Sequence, residues 1–99
     1  DGKILVRVDP DLADLIPGFL DNRRKDITAM REALERGDFE TVRTLGHSMK
    51  GSGGGYGFDA VTDIGAALEQ AATGKNSDEI RLRVDDLSVY LDHVEVICD

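Results

Sequence analysis

The feature that most constrains the fold is a pattern of apolar or small residues at helical spacing, repeated in four stretches of the chain. Within each stretch these positions recur mostly every three or four residues, which places them on one face of an α-helix. By stretch they are Ile16, Leu20, Ile27, Met30 and Leu34; Phe39, Val42, Leu45, Met49 and Gly53; Phe58, Val61, Ile64, Leu68 and Ala71 or Ala72; and Ile80, Val84, Leu87, Leu91 and Val94. Four such helices predict an all-α, up-and-down four-helix bundle.

Residues near the N-terminus predict a further, short helix before the bundle. Residues 9–11 (Asp-Pro-Asp) supply a side-chain N-cap, a proline at the first helical position and an acid in the first turn. Pro17 follows soon after and would disrupt a helix interior, so the next helix should begin near Ile16 or Pro17. Residues 4–8 look extended, but the sequence suggests no strand partner for them.

The later helix boundaries are marked by capping residues and glycines. Gly37 fits a helix C-terminus, and Asp38 can cap the helix that follows. The glycines at positions 53–55 should weaken the end of that helix, because each glycine costs up to about 1 kcal/mol in a helix interior. In the loop at residues 73–77, Asn76 or Ser77 is expected to cap the last helix.

Length and charge exclude several classes of function. Ninety-nine residues make one domain, residues 1–99, with no room for a second core or a deep cavity between two lobes. The net charge of −8 argues against a nucleic-acid partner, because a protein that binds the phosphate backbone should present a basic face. Neither metal ligands nor a phosphate-binding loop is evident, since a P-loop lysine follows its glycines and Lys50 precedes them.

The same composition predicts a cytoplasmic location. Cys98 is the one cysteine and cannot form an intrachain disulfide, which suits a reducing compartment. No apolar run approaches the ~20 residues that span a bilayer, and no signal peptide is visible, so we expect no membrane contact. Because the first residue is Asp1 rather than Met, we expect a fragment of a longer protein. A bundle that closes on itself makes a monomer the default.

The second long helix carries a histidine on an unusually bare surface. Helical residues advance about 100° each, so His47 lies about 140° from the core residue Val42 and should point away from the core. Gly51 and Gly54 lie at about 180° and 120° on the same wheel and leave the surface beside the imidazole free of side chains. Lys50 sits one turn along, within reach of a group bonded to the ring.

These residue types suit a carrier of phosphoryl groups. Imidazole can be an unprotonated nucleophile at neutral pH without special activation. Phosphoryl transfer needs in-line access and charge neutralisation more than covalent machinery. Lys50 supplies a positive charge for the phosphoryl oxygens, and the small residues supply access. His47 is therefore the candidate acceptor. His93 lacks such neighbours and is interpreted as a surface or structural residue.

The sequence resembles the histidine-containing phosphotransfer (HPt) domain family over nearly its whole length. The resemblance rests on His47-x-x-Lys50-Gly51-Ser52, on Gly57 and Phe58 after it, on the segment Leu68-Glu69-Gln70-Ala71-Ala72, and on Leu15-Ile16-Pro17-Gly18-Phe19-Leu20. One departure is the run of three glycines at positions 53–55, where the family more often mixes alanine or serine with glycine. We expect this run to soften the helix end without changing the site.

The resemblance implies a phosphorelay intermediate rather than an enzyme. HPt domains are four-helix bundles that take a phosphoryl group from a receiver-domain aspartate and pass it to another receiver. By this resemblance Nε2 of His47 is the acceptor, Lys50 lies beside the phosphate and Gly51 keeps the ring open. The receiver supplies Mg²⁺ and most catalytic groups, so this chain is expected to bind no cofactor and no nucleotide. A parent chain such as a hybrid sensor histidine kinase is also implied.

The sequence is also compatible with two other functions, and it suggests residues that contact the partner. A kinase domain of the chemotaxis type is an alternative source of phosphate for His47, and a helical adaptor without chemistry is a second alternative. The basic residues 23–25 look like a solvated helix face. Because the corresponding helix lies beside the active histidine in HPt domains, Arg23 and Arg24 are candidate receiver contacts. Gly54, on the bare stripe, is a third.

Overall fold

The computed structural model describes residues 2–98 and contains four long helices. They are α1 (Ile16–Glu35), α2 (Phe39–Ser52), α3 (Asp59–Thr73) and α4 (Ser77–His93). A 3₁₀-helix precedes α1 at Pro10–Leu15, and a 3₁₀ turn links α2 to α3 at Gly54–Tyr56. The all-α bundle with a short extra N-terminal helix is thus confirmed. No helix within the described residues is both long and apolar enough to cross a membrane.

Local capping explains where the helices begin. The Asp9 carboxylate accepts a hydrogen bond of 2.9 Å from the Asp11 amide at the start of the 3₁₀-helix. Asp38 caps α2, accepting from the Thr41 amide at 3.1 Å, and Asn76 caps α4. Each cap satisfies an amide that has no partner inside its helix. Before α2, Gly37 adopts a φ of +70°, a left-handed conformation that glycine tolerates without steric cost.

Two short strands pair at the ends of the described chain, which corrects the sequence interpretation. Strand β1 (Ile4–Val8) runs parallel to strand β2 (Val94–Cys98), with Ile4 opposite Val94. The inference that residues 4–8 lack a partner is therefore wrong, as is the placement of Val94 in the last helix. Val94 continues the helical spacing of α4 by coincidence, but its backbone is extended, with φ −69° and ψ 135°. Pairing between distant segments leaves no mark in a local pattern.

The core consists of the inward stripes of the four helices. Its fully buried large side chains include Met30 on α1, Val42 and Met49 on α2, Leu68 on α3 and Leu87 on α4. Because Val42 and Met49 occupy the buried side of α2, the opposite side of that helix is left for solvent.

An aromatic cluster closes the end of the bundle where α2 ends. The Phe19 ring lies 5.2 Å from that of Phe58 and 4.7 Å from that of Tyr56, measured between ring centres. Phe58 is completely buried, so it joins α1 to the turn before α3. Tyr56 is half-buried and packs on Phe19 from the turn between α2 and α3.

Helices α2 and α3 pack unusually closely, through glycines on both. A Cβ atom placed on Gly46 would lie 2.8 Å from the Glu69 backbone nitrogen, and one on Gly65 would lie 2.6 Å from the Lys50 nitrogen. A Cβ on Gly53 would lie 2.6 Å from the Thr62 nitrogen. Contacts below 3.0 Å are not seen for real Cβ atoms, so the two backbones approach this closely only because side chains are missing. We call this contact the glycine seam.

Candidate functional site

His47 lies in the middle of α2 with its side chain 70% exposed. Its neighbours on the other side of the helix, Gly46 and Met49, are buried. The exposure follows from the helical wheel, because His47 falls outside the stripe that meets the core. The ring is therefore accessible to the surface of another protein.

The imidazole is oriented by a carboxylate from the neighbouring helix. Nδ1 of His47 lies 2.9 Å from Oε2 of Glu69, on α3. An ionised carboxylate only accepts hydrogen bonds, so Nδ1 must carry the proton in this pair. In the neutral ring Nε2 then holds the free lone pair. The pair thus selects the tautomer in which Nε2 is the nucleophilic nitrogen.

Glu69 is shared between two basic groups. Its second oxygen, Oε1, lies 3.6 Å from Nζ of Lys50, and its side chain is 23% exposed. The hydrogen bond with His47 chiefly holds the pKa of the Glu69 carboxyl below its usual value, and the charges of His47 and Lys50 act in the same direction against partial burial. The carboxyl group consequently stays ionised at neutral pH, as the hydrogen bond to Nδ1 requires.

Glu69 was not predicted as a site residue. In the sequence it is only part of a segment that resembles the family, because a separation of 22 residues from His47 carries no helical periodicity. The contact depends on which turn of α3 faces which turn of α2. The small residues Gly46 and Gly65 are the available signal, since small residues on two helices allow close approach and so restrict their register.

Lys50 and Gly51 occupy the open surface predicted for them. The Lys50 side chain is 52% exposed, and its ammonium contacts the same carboxylate as the imidazole does. A Cβ atom on Gly51 would meet nothing within 4 Å, so the surface next to it is free. The roles of Lys50 and Gly51 in phosphoryl transfer stay predictions.

The end of α2 is held to α3 by the Thr62 hydroxyl. Thr62 Oγ1 accepts from the Gly54 amide at 2.7 Å and donates to the Lys50 carbonyl at 3.2 Å. The turn bends back onto the seam, where the Phe58 amide donates to the Gly53 carbonyl at 2.8 Å. Gly53 is buried against Thr62, so this glycine allows close packing of α2 on α3, a role that was not predicted. Gly54 is exposed, and its contact with a partner stays a prediction.

Arg23 does not lie on a solvated face. Its side chain is 13% exposed, and its guanidinium bonds to Asp26 at 2.8 Å and lies 4.9 Å from the centre of the Phe19 ring. A weaker bond to Ser52 Oγ, at 3.4 Å, ties α1 to the end of α2. Burial raises the pKa of the Asp26 carboxyl, and the charge of Arg23 opposes this effect. The interpretation of residues 23–25 as a solvated face is wrong for Arg23, because the pattern of α1 does not reveal which neighbour covers it.

Arg24 contacts the end of α4. Its guanidinium donates to Asp92 Oδ1 at 3.0 Å and to the Leu91 carbonyl at 2.9 Å, which ties α1 to the end of α4. His47 bonds instead to α3, so these contacts do not bring Arg24 and His47 together. A contact of Arg23 or Arg24 with a receiver stays a prediction, while the observed bonds of Arg24 favour a structural role.

Other parts of the described structure offer no comparable site. Among residues 2–98, no group of three His, Cys, Asp or Glu side chains is placed to hold a metal ion. His93 ends α4, and its Nδ1 lies 2.8 Å from the Val89 carbonyl, which fits its interpretation as a surface or structural residue. Two clefts of about 260 and 440 Å³ lie between α1 and α4 and between the start of α2 and the end of α3, and His47 lines neither.

Comparison with known proteins connects this site to a family. A family model for the Hpt domain matches residues 14–96, a range that includes all four helices together with His47, Lys50 and Glu69. No curated protein and no solved structure matches the chain. Because the match spans well over half of the sequence, the chain belongs to the Hpt domain family, whose members carry phosphoryl groups on histidine in two-component signalling.

Proposed function

We propose that this domain is a phosphorelay intermediate in which Nε2 of His47 takes a phosphoryl group from a receiver-domain aspartate and passes it to another receiver. The observation that carries the proposal is the exposed imidazole with its Nδ1 bound to Glu69. This arrangement leaves a nucleophilic nitrogen facing an open surface. Family membership supports histidine phosphotransfer as the class of chemistry.

The proposed step balances without a proton from outside. The Nε2 lone pair attacks phosphorus of the aspartyl phosphate in line, the P–O bond to the aspartyl oxygen breaks, and the receiver's carboxylate leaves. Nδ1 keeps its proton, so the phosphorylated ring is cationic. The carboxylate of Glu69, 2.9 Å from Nδ1, stabilises this developing positive charge. Transfer to the second receiver reverses the step.

Lys50 and the small residues on α2 have complementary roles in this proposal. The ammonium of Lys50 offsets charge on the phosphoryl oxygens, for which a flexible point charge is suited. Gly51 leaves the approach open, and Gly54 lies on the same exposed stripe, where the receiver is expected to dock. The receiver brings Mg²⁺ and the aspartate, while this chain brings the nucleophile and no cofactor of its own.

The proposed setting of the domain follows from the same chemistry. We expect it to act as a cytoplasmic monomer that meets response-regulator receivers, within a chain such as a hybrid sensor kinase. We expect no phosphorylation when this chain is given ATP and Mg²⁺ alone. Appearance of label on His47 under those conditions would contradict the proposal.

Phosphotransfer from a receiver is the direct test. The protein is incubated with a phosphorylated receiver and Mg²⁺, and phosphorylation sites are mapped under alkaline conditions that preserve phosphohistidine. Label on His47, lost in His47→Gln but kept in His93→Gln, is the expected result. His93 is the matched control because it is an exposed histidine at the end of another helix. Retained folding in His47→Gln is expected, since exposed substitutions usually change stability by within about 0.5 kcal/mol.

Other outcomes identify the alternatives. Label that appears only when a kinase domain and ATP are supplied would assign the domain to a chemotaxis-type kinase. No label from either donor, with partner binding unchanged in His47→Gln, would favour an adaptor without chemistry. Either result would overturn transfer between receivers as the function.

A further inference from the structure

We propose that Gly46 and Gly65 are positioning residues for phosphoryl transfer, because the bare backbones of the glycine seam hold the Glu69 carboxylate at hydrogen-bond distance from His47. This inference rests on the proposed function and extends it to residues that touch neither the phosphoryl group nor the reacting nitrogen.

Gly46 allows the close approach of α2 and α3 beside His47 and Glu69. It precedes His47 in α2, and its hypothetical Cβ would lie 2.8 Å from the Glu69 nitrogen, 2.9 Å from the Gly65 carbonyl oxygen and 3.1 Å from the Leu68 Cβ. Two of these three neighbours are backbone atoms, which cannot rotate away as a long side chain can. The residue next to the nucleophile therefore contacts the backbone of the residue that orients the nucleophile.

Gly65 makes the reciprocal contact from α3. Its hypothetical Cβ would lie 2.6 Å from the Lys50 nitrogen, 2.7 Å from the Gly46 carbonyl oxygen and 2.8 Å from the Met49 Cβ. The two glycines thus face each other, and each meets the backbone of a residue in the His47–Glu69–Lys50 group. A side chain on either one would separate the two helices at this level.

The helix separation that an added Cβ atom would require is large enough to break the hydrogen bond between His47 and Glu69. Moving a contact from 2.8 Å to the 3.4 Å of ordinary packing opens the seam by about 0.6 Å. The same movement would stretch the bond between Nδ1 of His47 and Oε2 of Glu69 from 2.9 Å to about 3.5 Å, where a hydrogen bond is effectively lost.

Alanine substitutions at Gly46 and Gly65 test the part of the seam beside Glu69, with two matched controls. Gly46→Ala and Gly65→Ala are compared with Gly53→Ala, whose Cβ would lie 2.6 Å from the Thr62 nitrogen but two helical turns away from Gly46. Gly53→Ala therefore introduces a similar clash away from Glu69. Gly18→Ala on α1, where a Cβ would meet nothing within 4 Å, controls for substitution itself.

The readouts report on His47 directly. Nitrogen-15 spectra show which ring nitrogen carries the proton, and carbon-13 titration gives the pKa of the Glu69 carboxyl. We expect Gly46→Ala and Gly65→Ala to lose the preference for the proton on Nδ1, to raise the pKa of Glu69 toward its usual value and to slow transfer by about tenfold, since misplacement by 1 Å can cost about 10²-fold. Gly53→Ala should lose stability while keeping both spectral signatures. Equal signatures in Gly53→Ala and Gly46→Ala would overturn the proposal.

A second variant decides the matter even if an alanine variant fails to fold. Glu69→Asp withdraws the carboxylate by one methylene, about 1.5 Å, without touching the seam. We expect the same loss of Nδ1 protonation and the same slower transfer. Wild-type behaviour of Glu69→Asp would show that the spacing is not critical and would overturn the proposal. Because the spectra are recorded on unphosphorylated protein, failure of the wild type to accept phosphate would refute only the proposed function.

Discussion

Phe58 provides a quantitative test of how the end of the bundle is held together. Its side chain is completely buried, and its ring stacks on Phe19 with 5.2 Å between centres and 18° between planes. Truncation of a buried phenylalanine to alanine costs about 3–5 kcal/mol. A stacked aromatic pair contributes about 1 kcal/mol of this beyond the buried area. We therefore expect Phe58→Ala to lower the free energy of unfolding by about 4 kcal/mol.

The expected change in melting temperature follows from the size of the domain. An unfolding entropy of about 2.1 cal/mol/K per residue gives about 0.2 kcal/mol/K for 99 residues. A loss of 4 kcal/mol then corresponds to a decrease in Tm of about 20 °C. Urea titration, followed by circular dichroism, measures the loss directly, and an unchanged slope would show that the native state keeps its compactness.

A double-mutant cycle separates stacking from simple burial. Phe58→Leu and Phe19→Leu, alone and together, should give a coupling energy of about 0.5–1.5 kcal/mol. The control cycle pairs Phe58→Leu with Phe39→Leu, because Phe39 lies at the start of α2, far from the aromatic cluster at its end. It should give a coupling energy below about 0.5 kcal/mol. A coupling energy near zero for Phe58 and Phe19, or a loss of unfolding free energy below about 2 kcal/mol for Phe58→Ala, would show that burial and stacking of Phe58 do not hold this end of the bundle together.

Three further measurements address charge and capping. Hydrogen bonding with His47 depresses the pKa of Glu69 in the folded protein. The stabilisation from this carboxylate is therefore fully present above the pKa of Glu69 in the unfolded chain, and it is lost as the pH falls through the pKa in the folded protein. Carbon-13 titration should show that the Glu69 pKa rises in His47→Ala, and an unchanged pKa would contradict the His47–Glu69 hydrogen bond. Arg24→Ala and Arg31→Ala each remove a half-exposed ion pair to α4, so each should lower the free energy of unfolding, measured by urea titration, by no more than about 1 kcal/mol. Neither variant should slow phosphoryl transfer. Slower transfer in Arg24→Ala alone would identify a contact with the receiver. Asn76→Ala should cost about 1 kcal/mol by thermal unfolding, whereas Asn76→Asp should retain the cap.

Local signals identified the helices because each one acts within a few residues. Asp38 lies three residues before the amide that it caps, and Pro17 restricts only its own turn, so both can be recognised without knowing the fold. The exposure of His47 belongs to the same class, since a helical wheel requires only the spacing of buried residues along α2. The resemblance to a family then connected that exposed ring to phosphoryl transfer.

Contacts between distant segments were inaccessible to such signals. Strand β1 gains its partner only when the end of α4 returns beside it, and nothing near residues 4–8 encodes that meeting. The burial of Arg23 likewise depends on Ser52 and Phe19, of which only Phe19 shares its helix. A residue that looks solvated by its own periodicity can thus be covered by a neighbouring element.

Periodicity and capping along the chain were enough to locate the four helices, the residues near which they begin and a bare histidine surface on α2. The carboxylate that meets this histidine follows only from the way the helices pack. Glu69 reaches His47 because the glycine seam sets both the register and the separation of α2 and α3. Periodicity and capping are properties of one helix, whereas register and separation arise from the packing of two, so the acceptor could be recognised before folding and its orienting partner could not.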